Sequence, residues 1–202
     1  WHLNEAVPDG ASARTIPHDF CSKHLSFSPE TEIVMWGSDG WTVYQLDELK
    51  LNGWYDFTLR LPPVPPGNWE VRVGYSQVWW RGIAQFFLDG VIQGIPRDLR
   101  IRGDDPRVGW VPDTGGPEDR EIDKAMRNRG YMKGPASAIN YAWNSILRDD
   151  AVYLRIIVGN LNVQEYGAHY LRGKNVLSPG NEYNGDIIEL VPVSLIEYED
   201  IY

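Results

Sequence analysis

The sequence predicts an all-β fold, a jelly-roll-like β-sandwich with one short surface helix in a long central insert. Nine Trp, eleven Tyr and five Phe stand among 202 residues, mostly in short runs with the pattern of strands. Residues 69–75 show this best, because apolar Val71, Val73 and Tyr75 alternate with polar neighbours at the period of a half-buried strand. Just upstream, residues 61–67 hold four prolines and a glycine, which no helix or central strand tolerates.

The length of the chain fits one large β domain or two small ones. We predict a single domain over residues 1–202, because few strands follow the helical insert and both sheets must then share strands from both halves. Residues 1–30 are polar and rich in turn formers, which predicts an irregular leading segment with one edge strand or none.

The first predicted strands pair as a hairpin. Residues 31–36 form an apolar run, residues 38–40 (Ser-Asp-Gly) are a turn signal, and residues 41–44 follow at once as the partner strand. Residues 55–61 then alternate with Tyr, Phe and Leu on one face. The proline-rich turn returns the chain into the strand at 69–75.

A second hairpin is indicated by Asp89-Gly90, which separates apolar residues 83–88 from residues 91–96. Asp-Gly between two such runs is among the strongest short-range hairpin signals. Residues 99–102 are predicted to close this block as a further strand.

The central insert is predicted over residues 103–135 as a long loop followed by a helix at 117–129. Pro117 suits the first helical position and Gly130 suits the stop. Charges follow the helix dipole, with acidic residues early and basic residues late: Glu118, Asp119, Glu121, Lys124, Arg127 and Arg129. The apolar stripe is narrow, which predicts a surface helix packed on the sandwich; it consists of Ile122, Ala125 and Met126. Strands are expected again at residues 151–158, 169–172 and 186–193.

Charge and hydropathy exclude several function classes. The net charge of -9 argues against a general nucleic-acid binder, which needs basic surface to replace counterions. The same charge disfavours docking on anionic lipid. The chain has no run of eighteen apolar residues, so no transmembrane helix is predicted. Cys21 is the only cysteine, so no intramolecular disulfide forms, and we expect it to be a small buried apolar residue. The chain begins at Trp1 without Met, which suggests a processed product or an excised domain.

A candidate ligand-binding platform follows the strand at 69–75. Trp79 and Trp80 are adjacent, so in extended chain their rings face opposite ways. One ring would then be exposed for stacking on a sugar, with Arg81 donating to hydroxyls or a carboxylate. The alternative is that both rings pack, one in the core and one under the long loop.

Two further aromatic residues, Trp110 and Tyr131, flank the insert and would form a wall of the same site. Asp104, Asp105 and Asp113 in the loop would accept hydrogen bonds from hydroxyls or ligate calcium. Alternatively these carboxylates only fix turns through bonds to the backbone.

Catalysis has no clear signature in the chain. None of the four His stands in a metalloprotease pattern, and no nucleophile elbow or phosphate loop is present. Glu70 and Glu189 lie on predicted strands and would have to face one cleft in a glycosidase. Charged residues alternating on strands are more often the solvated face, so we predict a protein that is not an enzyme.

Several segments carry a resemblance to known families. Residues 186–192 (Asp-Ile-Ile-Glu-Leu-Val-Pro) resemble the closing strand of galactose-binding-type jelly rolls, which include several carbohydrate-binding modules. Residues 66–72 (Pro-Gly-Asn-Trp-Glu-Val-Arg), 85–90 (Gln-Phe-Phe-Leu-Asp-Gly) and 129–135 (Arg-Gly-Tyr-Met-Lys-Gly-Pro) resemble the β-sandwich domain of fasciclin-containing surface lipoproteins of gut bacteria.

The resemblance implies an exported protein at the outer surface of a bacterium, anchored to the outer membrane through a segment outside this sequence. It implies adhesion or glycan capture, with a glycan or a neighbouring surface protein domain as partner. It also implies a structural calcium held by Asp186, and it implies no catalytic residues and no other cofactor.

Three functional hypotheses follow from the sequence. The first is glycan binding through Trp79, Trp80, Arg81, Trp110 and Tyr131, and it expects at least two of the rings to line an open groove. The second is a structural module that docks on a protein through a broad apolar patch. The third is a glycoside hydrolase, which needs two carboxylates opposed across a cleft.

Overall fold

The computed structural model describes residues 14–15, 25–27, 32–37, 47–52, 55–61, 63–77, 81–136, 139–140, 144–176 and 187–197. Within these ranges the protein is an all-β sandwich of two antiparallel sheets with one α-helix, as the sequence predicts.

The strands in chain order are β1 (Arg14–Thr15), β2 (Leu25–Phe27), β3 (Glu32–Gly37), β4 (Asp47–Asn52), β5 (Asp56–Arg60), β6 (Gly67–Ser76), β7 (Ile83–Leu88), β8 (Val91–Asp98), β9 (Tyr131–Lys133), β10 (Ile139–Asn140), β11 (Ser145–Ile146), β12 (Tyr153–Val163), β13 (Tyr170–Asn175) and β14 (Ile187–Glu197). Helix α1 spans Glu118–Asn128, and a 3-10 turn covers Leu147–Asp149.

Each large sheet combines strands from both sides of the insert. The seven-stranded sheet has the order β1-β3-β4-β14-β6-β12-β9, and the five-stranded sheet has the order β2-β5-β13-β7-β8. The late strand β14 therefore lies between β4 and β6, and β13 lies between β5 and β7. The small β10-β11 ladder stands apart from both sheets.

The core fills the space between the inner faces of the two sheets. Phe57 and Phe86 from the five-stranded sheet share one cluster with Val73 and Ile156 from the seven-stranded sheet, all almost fully buried. Each such side chain contributes roughly 1.5–3 kcal/mol through burial. Gly173 of β13 is paired with both Phe57 and Phe86, and an added Cβ there would lie 2.5 Å from the Phe57 ring.

The second predicted hairpin is confirmed. β7 pairs with β8, and the two turn residues Asp89 and Gly90 have φ angles of 48° and 79°. Positive φ at both central positions defines a turn whose twist matches that of the strands. β8 is the edge strand of its sheet, and the register of the β7-β8 pair shifts between Ala84 and Phe86.

The first predicted hairpin is wrong in its partner strand. β3 pairs with β4 at residues 47–52, and residues 41–44 lie outside the described ranges. In β4, Leu49 and Leu51 alternate with charged residues at the strand period. This alternation is a weak strand signal, because the Asp, Glu, Lys and Asn residues of β4 have low β-propensity.

Residues 99–102 do not form the predicted strand. The side chain of Asp98 accepts a hydrogen bond from the backbone N–H of Arg100 at 3.0 Å and pairs with the Arg100 guanidinium. Such a local bond offers the backbone an alternative to a sheet ladder and turns the chain. Leu99 is then buried in the core cluster.

Helix α1 confirms the predicted surface helix. Asp119 accepts hydrogen bonds from the backbone N–H groups of Thr114 and Gly115 at its N-terminal end, and Gly130 follows the C-terminal end with φ of 82°. Met126 is fully buried in the core and Ile122 packs against it. The helix has eleven residues, and in the described part of the chain no helix is both long and apolar enough to cross a membrane.

The insert is shorter than predicted at its C-terminal end. Residues 131–133 form β9, which pairs with β12 and is the edge strand of the seven-stranded sheet. The leading residues 1–30 contribute two short strands, β1 and β2, one to each large sheet.

Candidate functional site

The predicted ligand residues fall into two groups. Trp79 and Trp80 lie outside the described residues, as does Asp186, the expected calcium ligand. Arg81, Trp110 and Tyr131 are described. Arg81 and Tyr131 are buried, and Trp110 is half-buried.

Arg81 is buried at the end of β6 and does not reach an open surface. Its Nε donates to the backbone oxygen of Ser76 at 3.0 Å, and one terminal nitrogen donates to the Ser76 hydroxyl at 2.8 Å. A buried guanidinium needs such acceptors because its charge is costly to remove from water. In this position Arg81 ties the end of β6 to the chain entering β7.

The rings of Trp110 and Tyr131 both pack on the core cluster. The indole Nε1 of Trp110 donates to the backbone oxygen of Arg148 at 3.2 Å. Tyr131 is buried under Arg97, whose guanidinium carbon lies 5.6 Å from the ring centroid. These two rings hold the insert against the sandwich.

The loop carboxylates bond to neighbouring groups. Asp105 accepts from the backbone and guanidinium of Arg107, and the hydrogen bond to that side chain lowers the pKa of Asp105 to about 2. Asp104 pairs with Arg102 at 3.1 Å. The bond from the Arg107 backbone N–H to Asp105 fits the turn-fixing alternative, whereas Asp104 bonds to the Arg102 side chain rather than to the backbone. Within the described ranges, no three His, Cys, Asp or Glu side chains come together in a way that could hold a metal ion.

Asp113 belongs to a group of four charges around the buried Lys133, here called the insert cluster: Asp113, Asp123, Lys133 and Arg148. Lys133 has no exposed side-chain surface; its Nζ contacts Asp113 and lies 3.6 Å from Asp123. Arg148 contacts Asp113 and bonds Asp123 at 2.7 Å. Two cations face two carboxylates, so the cluster is electrically balanced and joins the loop, α1, β9 and the 3-10 turn.

Glu70, one of the two carboxylates considered for a glycosidase, is buried and paired. It accepts from Arg72 at 2.5 Å and from Arg127 at 3.0 Å. Glu189 falls in β14, where only the backbone is described.

The outer face of the five-stranded sheet carries a different constellation. Along β13, Tyr170, Arg172 and Lys174 alternate with the buried residues Leu171 and Gly173. The side chains of Tyr170, Arg172 and Lys174 therefore lie on the side of the sheet that faces away from the core. Tyr170 is 43% exposed and the side chain of Lys174 is 49% exposed.

The neighbouring strand β5 completes this surface through its register. Arg60 is opposite Tyr170, Thr58 is opposite Arg172, and Asp56 is opposite Lys174. We call this surface the outer face, and it consists of Asp56, Thr58, Arg60, Phe87, Tyr170, Arg172 and Lys174.

Arg172 is fixed at the centre of the outer face. Its Nε and one terminal nitrogen donate to the two oxygens of Asp56 at 2.7 and 2.6 Å. Its guanidinium carbon lies 5.1 Å from the centroid of the Phe87 ring on the neighbouring strand. The hydrogen bond from Arg172, more than the nearby charge of Lys174, holds the pKa of Asp56 below its usual value, and the same bond raises the pKa of Arg172. Both groups are therefore charged across the ordinary pH range.

The outer face has an excess of positive charge. In the part of the face that the structure describes, there are three cations, Arg60, Arg172 and Lys174, and one carboxylate, that of Asp56, which lies 4.0 Å from the Lys174 Nζ. Among the described residues, Arg60 has no carboxylate within 4 Å. Two carboxylates at the ends of the sheet have local partners: Asp89 pairs with His169 at 2.7 Å, and Asp98 pairs with Arg100 at 2.8 Å.

The sequence pattern alone does not single out the outer face, although the alternation that forms it is visible in the chain. Residues 170, 172 and 174 alternate at the strand period, as do residues 56, 58 and 60. Neither run is unusual alone. Their significance depends on the pairing of β13 with β5, which the chain order does not reveal.

The fold and this surface define a β-sandwich that displays an exposed, cationic and partly aromatic sheet face. No protein-family model matches the sequence, and the search of curated proteins found no match. Among solved structures the chain is similar to a Paenibacillus xanthan lyase, with a TM-score of 0.46 and 13% identity over 86% of this chain. The chain spans 12% of the length of that enzyme.

Proposed function

We propose that this chain is a non-catalytic module that binds a glycan on the outer face of its five-stranded sheet. The observation that carries the proposal is the half-exposed ring of Tyr170 in line with Arg172 and Lys174 on one rigid strand. An aromatic ring provides an apolar surface with a polar tip, which suits the C–H face and hydroxyls of a sugar. The neighbouring guanidinium presents donors in a fixed plane.

We propose a non-catalytic role because the described carboxylates considered below are already paired with arginine or lysine. Glu70 is buried and bonded to two arginines, whereas a glycosidase needs a carboxylic acid and a carboxylate that reach the scissile bond. The carboxylates of the insert cluster are likewise neutralised by Lys133 and Arg148.

The setting of the module follows from the resemblance of its short segments to β-sandwich domains of fasciclin-containing surface lipoproteins. We place the module outside the cytoplasm at a bacterial surface, as one domain of a protein held at the outer membrane by another segment. The expected structural calcium at Asp186 belongs to the same proposal. Calcium should raise the Tm of the protein, and Asp186→Asn should remove that increase.

Glycan-array binding of the purified protein tests the function, with positive hits quantified by calorimetry. Tyr170→Ala should weaken binding about tenfold, equivalent to about 1.4 kcal/mol. Tyr170→Phe is the matched control and should bind within about threefold of the parent, because it keeps the ring. Equal binding by the parent and Tyr170→Ala would exclude the outer face as the site. The absence of any glycan ligand would reject the function.

A second candidate is docking on a neighbouring protein domain, which a specific observation favours. Val91, Ile92 and Ile95 of the edge strand β8 are 63%, 58% and 77% exposed. Pro96 lacks an N–H and Gly94 has a φ of 54°, so β8 is poorly suited to adding a strand and would dock through side chains. A docking module of this kind would give no hits on the array, and Ile95→Asp would reduce its association with the adjoining domain.

A further inference from the structure

We infer that the glycan bound on the outer face is acidic, a polysaccharide whose sugar carboxylates pair with Arg60, Arg172 and Lys174. This inference rests on the proposed function and specifies its ligand class. It starts from the contrast between a chain with a net charge of -9 and a sheet face whose described residues include three cations and one carboxylate, with Arg172 and Lys174 at Asp56 and Arg60 at the other end of β5.

The positive charge is arranged as a row across two strands. Side chains two residues apart on a strand are separated by about 6.7 Å, and adjacent strands lie about 4.8 Å apart. Tyr170, Arg172 and Lys174 thus extend over about 13 Å of β13, with Arg60 beside Tyr170 on β5. A single small anion would engage one of these cations, whereas a polymer with repeated carboxylates would engage several.

Asp56 shows which anion geometry this surface accepts. Both of its oxygens receive hydrogen bonds from the Arg172 fork at 2.7 and 2.6 Å, the bidentate arrangement that guanidinium groups favour with carboxylates. These bonds use two of the five guanidinium donors. Arg172 therefore keeps donors for a second acceptor, while Asp56 fixes its plane.

Arg60 and Lys174 supply positive charge that the described carboxylates do not fully neutralise. In the described part of the chain, no carboxylate lies within 4 Å of Arg60, which is exposed at the end of β5. Lys174 is half-exposed, and its Nζ is 4.0 Å from Asp56, at the limit of an ion pair. Binding a ligand through these two exposed cations costs little free energy, because neither has to break a strong ion pair.

A polysaccharide fits better than a nucleic acid because the cationic area is small and the rest of the chain is acidic. A duplex carries one charge per about 1.7 Å and is bound through broad basic surfaces. Sugar carboxylates are more widely spaced than nucleic-acid phosphates, and the exposed Tyr170 ring offers apolar surface beside the charges.

The test compares polygalacturonate, alginate and hyaluronate with the carboxyl-reduced, neutral form of each. Binding to the intact protein is measured by biolayer interferometry at low and at high salt. We expect at least one acidic polymer to bind, its reduced form to bind at least about tenfold more weakly, and high salt to weaken binding by a similar factor.

Three variants locate the effect. Arg60→Gln and Lys174→Gln should each weaken binding of the acidic polymer by about three- to tenfold. Arg102→Gln, which removes an exposed cation of the insert loop that pairs with Asp104, should change it by less than about twofold. Near-ultraviolet circular dichroism checks that all three variants are folded.

The outcomes separate the inference from the function on which it rests. If neutral glycans bind the outer face as tightly as acidic ones, or if Arg60→Gln and Lys174→Gln have no effect, the acidic ligand is rejected and glycan binding stands. If neither acidic nor neutral glycans bind, the proposed function itself is rejected. Preferential binding of single-stranded DNA would also overturn the inference.

Discussion

The insert cluster and the outer face contain the same kinds of side chains in opposite balance. In the insert cluster, Lys133 is fully buried and two cations face two carboxylates. On the outer face, Lys174 is half-exposed, and the described residues include three cations but one carboxylate, Asp56, which pairs with Arg172 and Lys174. Both lysines lie on strands, so secondary structure does not explain the difference.

The two regions show how buried, paired charges differ from charges on an exposed surface. Buried charges must be compensated within the fold, because unpaired charge in the interior costs several kcal/mol. Exposed charges need no such compensation and contribute little to stability. The unbalanced charge on the exposed outer face is therefore not required for folding, and it is available for the ligand that we propose.

The largest effect is expected from Lys133→Met, which leaves Asp113 and Asp123 to share Arg148. We expect the free energy of unfolding to fall by about 3 kcal/mol, the lower end for a broken buried pair, because both carboxylates are partly exposed. Urea unfolding measures the change. Lys174→Met on the outer face is the matched control and should cost less than about 1 kcal/mol. Similar losses for the two variants would remove the distinction between the regions.

A second effect concerns pH and the carboxylate of Asp113. Hydrogen bonds from Arg148, and then from Lys133, hold the pKa of Asp113 below its usual value of 3.8. A carboxyl whose pKa is lower in the folded state stabilises the fold above pH 3.8, and this contribution is lost as pH falls through the folded pKa. The stability difference between the parent and Asp113→Asn should therefore be full at neutral pH and disappear in acid. A difference that grew on acidification would contradict the assigned pairing.

A smaller effect is expected from Asp56→Asn on the outer face. Removing the carboxylate releases the Arg172 fork, and stability should fall by only about 0.5–1 kcal/mol because the pair is partly exposed. The same change should raise the affinity for acidic polysaccharide about threefold, because one competing negative charge is lost. Thermal unfolding and interferometry on the same samples measure both effects. A lower affinity would mean that Asp56 itself binds the ligand, or that the fixed plane of Arg172 matters more for binding than the competing charge of Asp56.

The smallest effect on stability is expected from Arg60→Gln. Arg60 is exposed at the end of β5 and forms no ion pair with the described residues, so the free energy of unfolding should stay within about 0.5 kcal/mol. Chemical unfolding checks this expectation. A loss beyond 1.5 kcal/mol, roughly, would show that Arg60 has a structural partner and belongs with the compensated charges.

Much of the fold could be predicted from local pattern. The β7-β8 hairpin followed from Asp89-Gly90, because few other residues accept positive φ at both turn positions. Helix α1 followed from its dipole-matched charges and from Met126, which is buried as expected. The β3-β4 pairing was missed because β4 is polar, and sequence distance gave no reason to prefer it over residues 41–44.

The candidate site was harder to predict than the fold. The sequence predicts that Trp110 and Tyr131 form a wall of the ligand site, yet both pack on the core, because large rings gain most free energy when buried. Arg81 was chosen as a donor to a ligand, yet it bonds to Ser76 in the interior. Whether a polar group faces a ligand or the protein depends on neighbours that a linear pattern does not contain.

The sequence by itself determined which residues of a strand share a face, since successive side chains point to opposite sides of a sheet. Alternation thus places Tyr170 and Arg172 of the predicted strand at 169–172 on one side, and the observed length of β13 adds Lys174 to them. Only the tertiary structure decided that β13 lies between β5 and β7, bringing Asp56 to Arg172 across 116 residues and Phe87 under the same guanidinium. The physical reason is that strand alternation is local geometry, whereas strand order depends on which faces can be buried together over the whole chain.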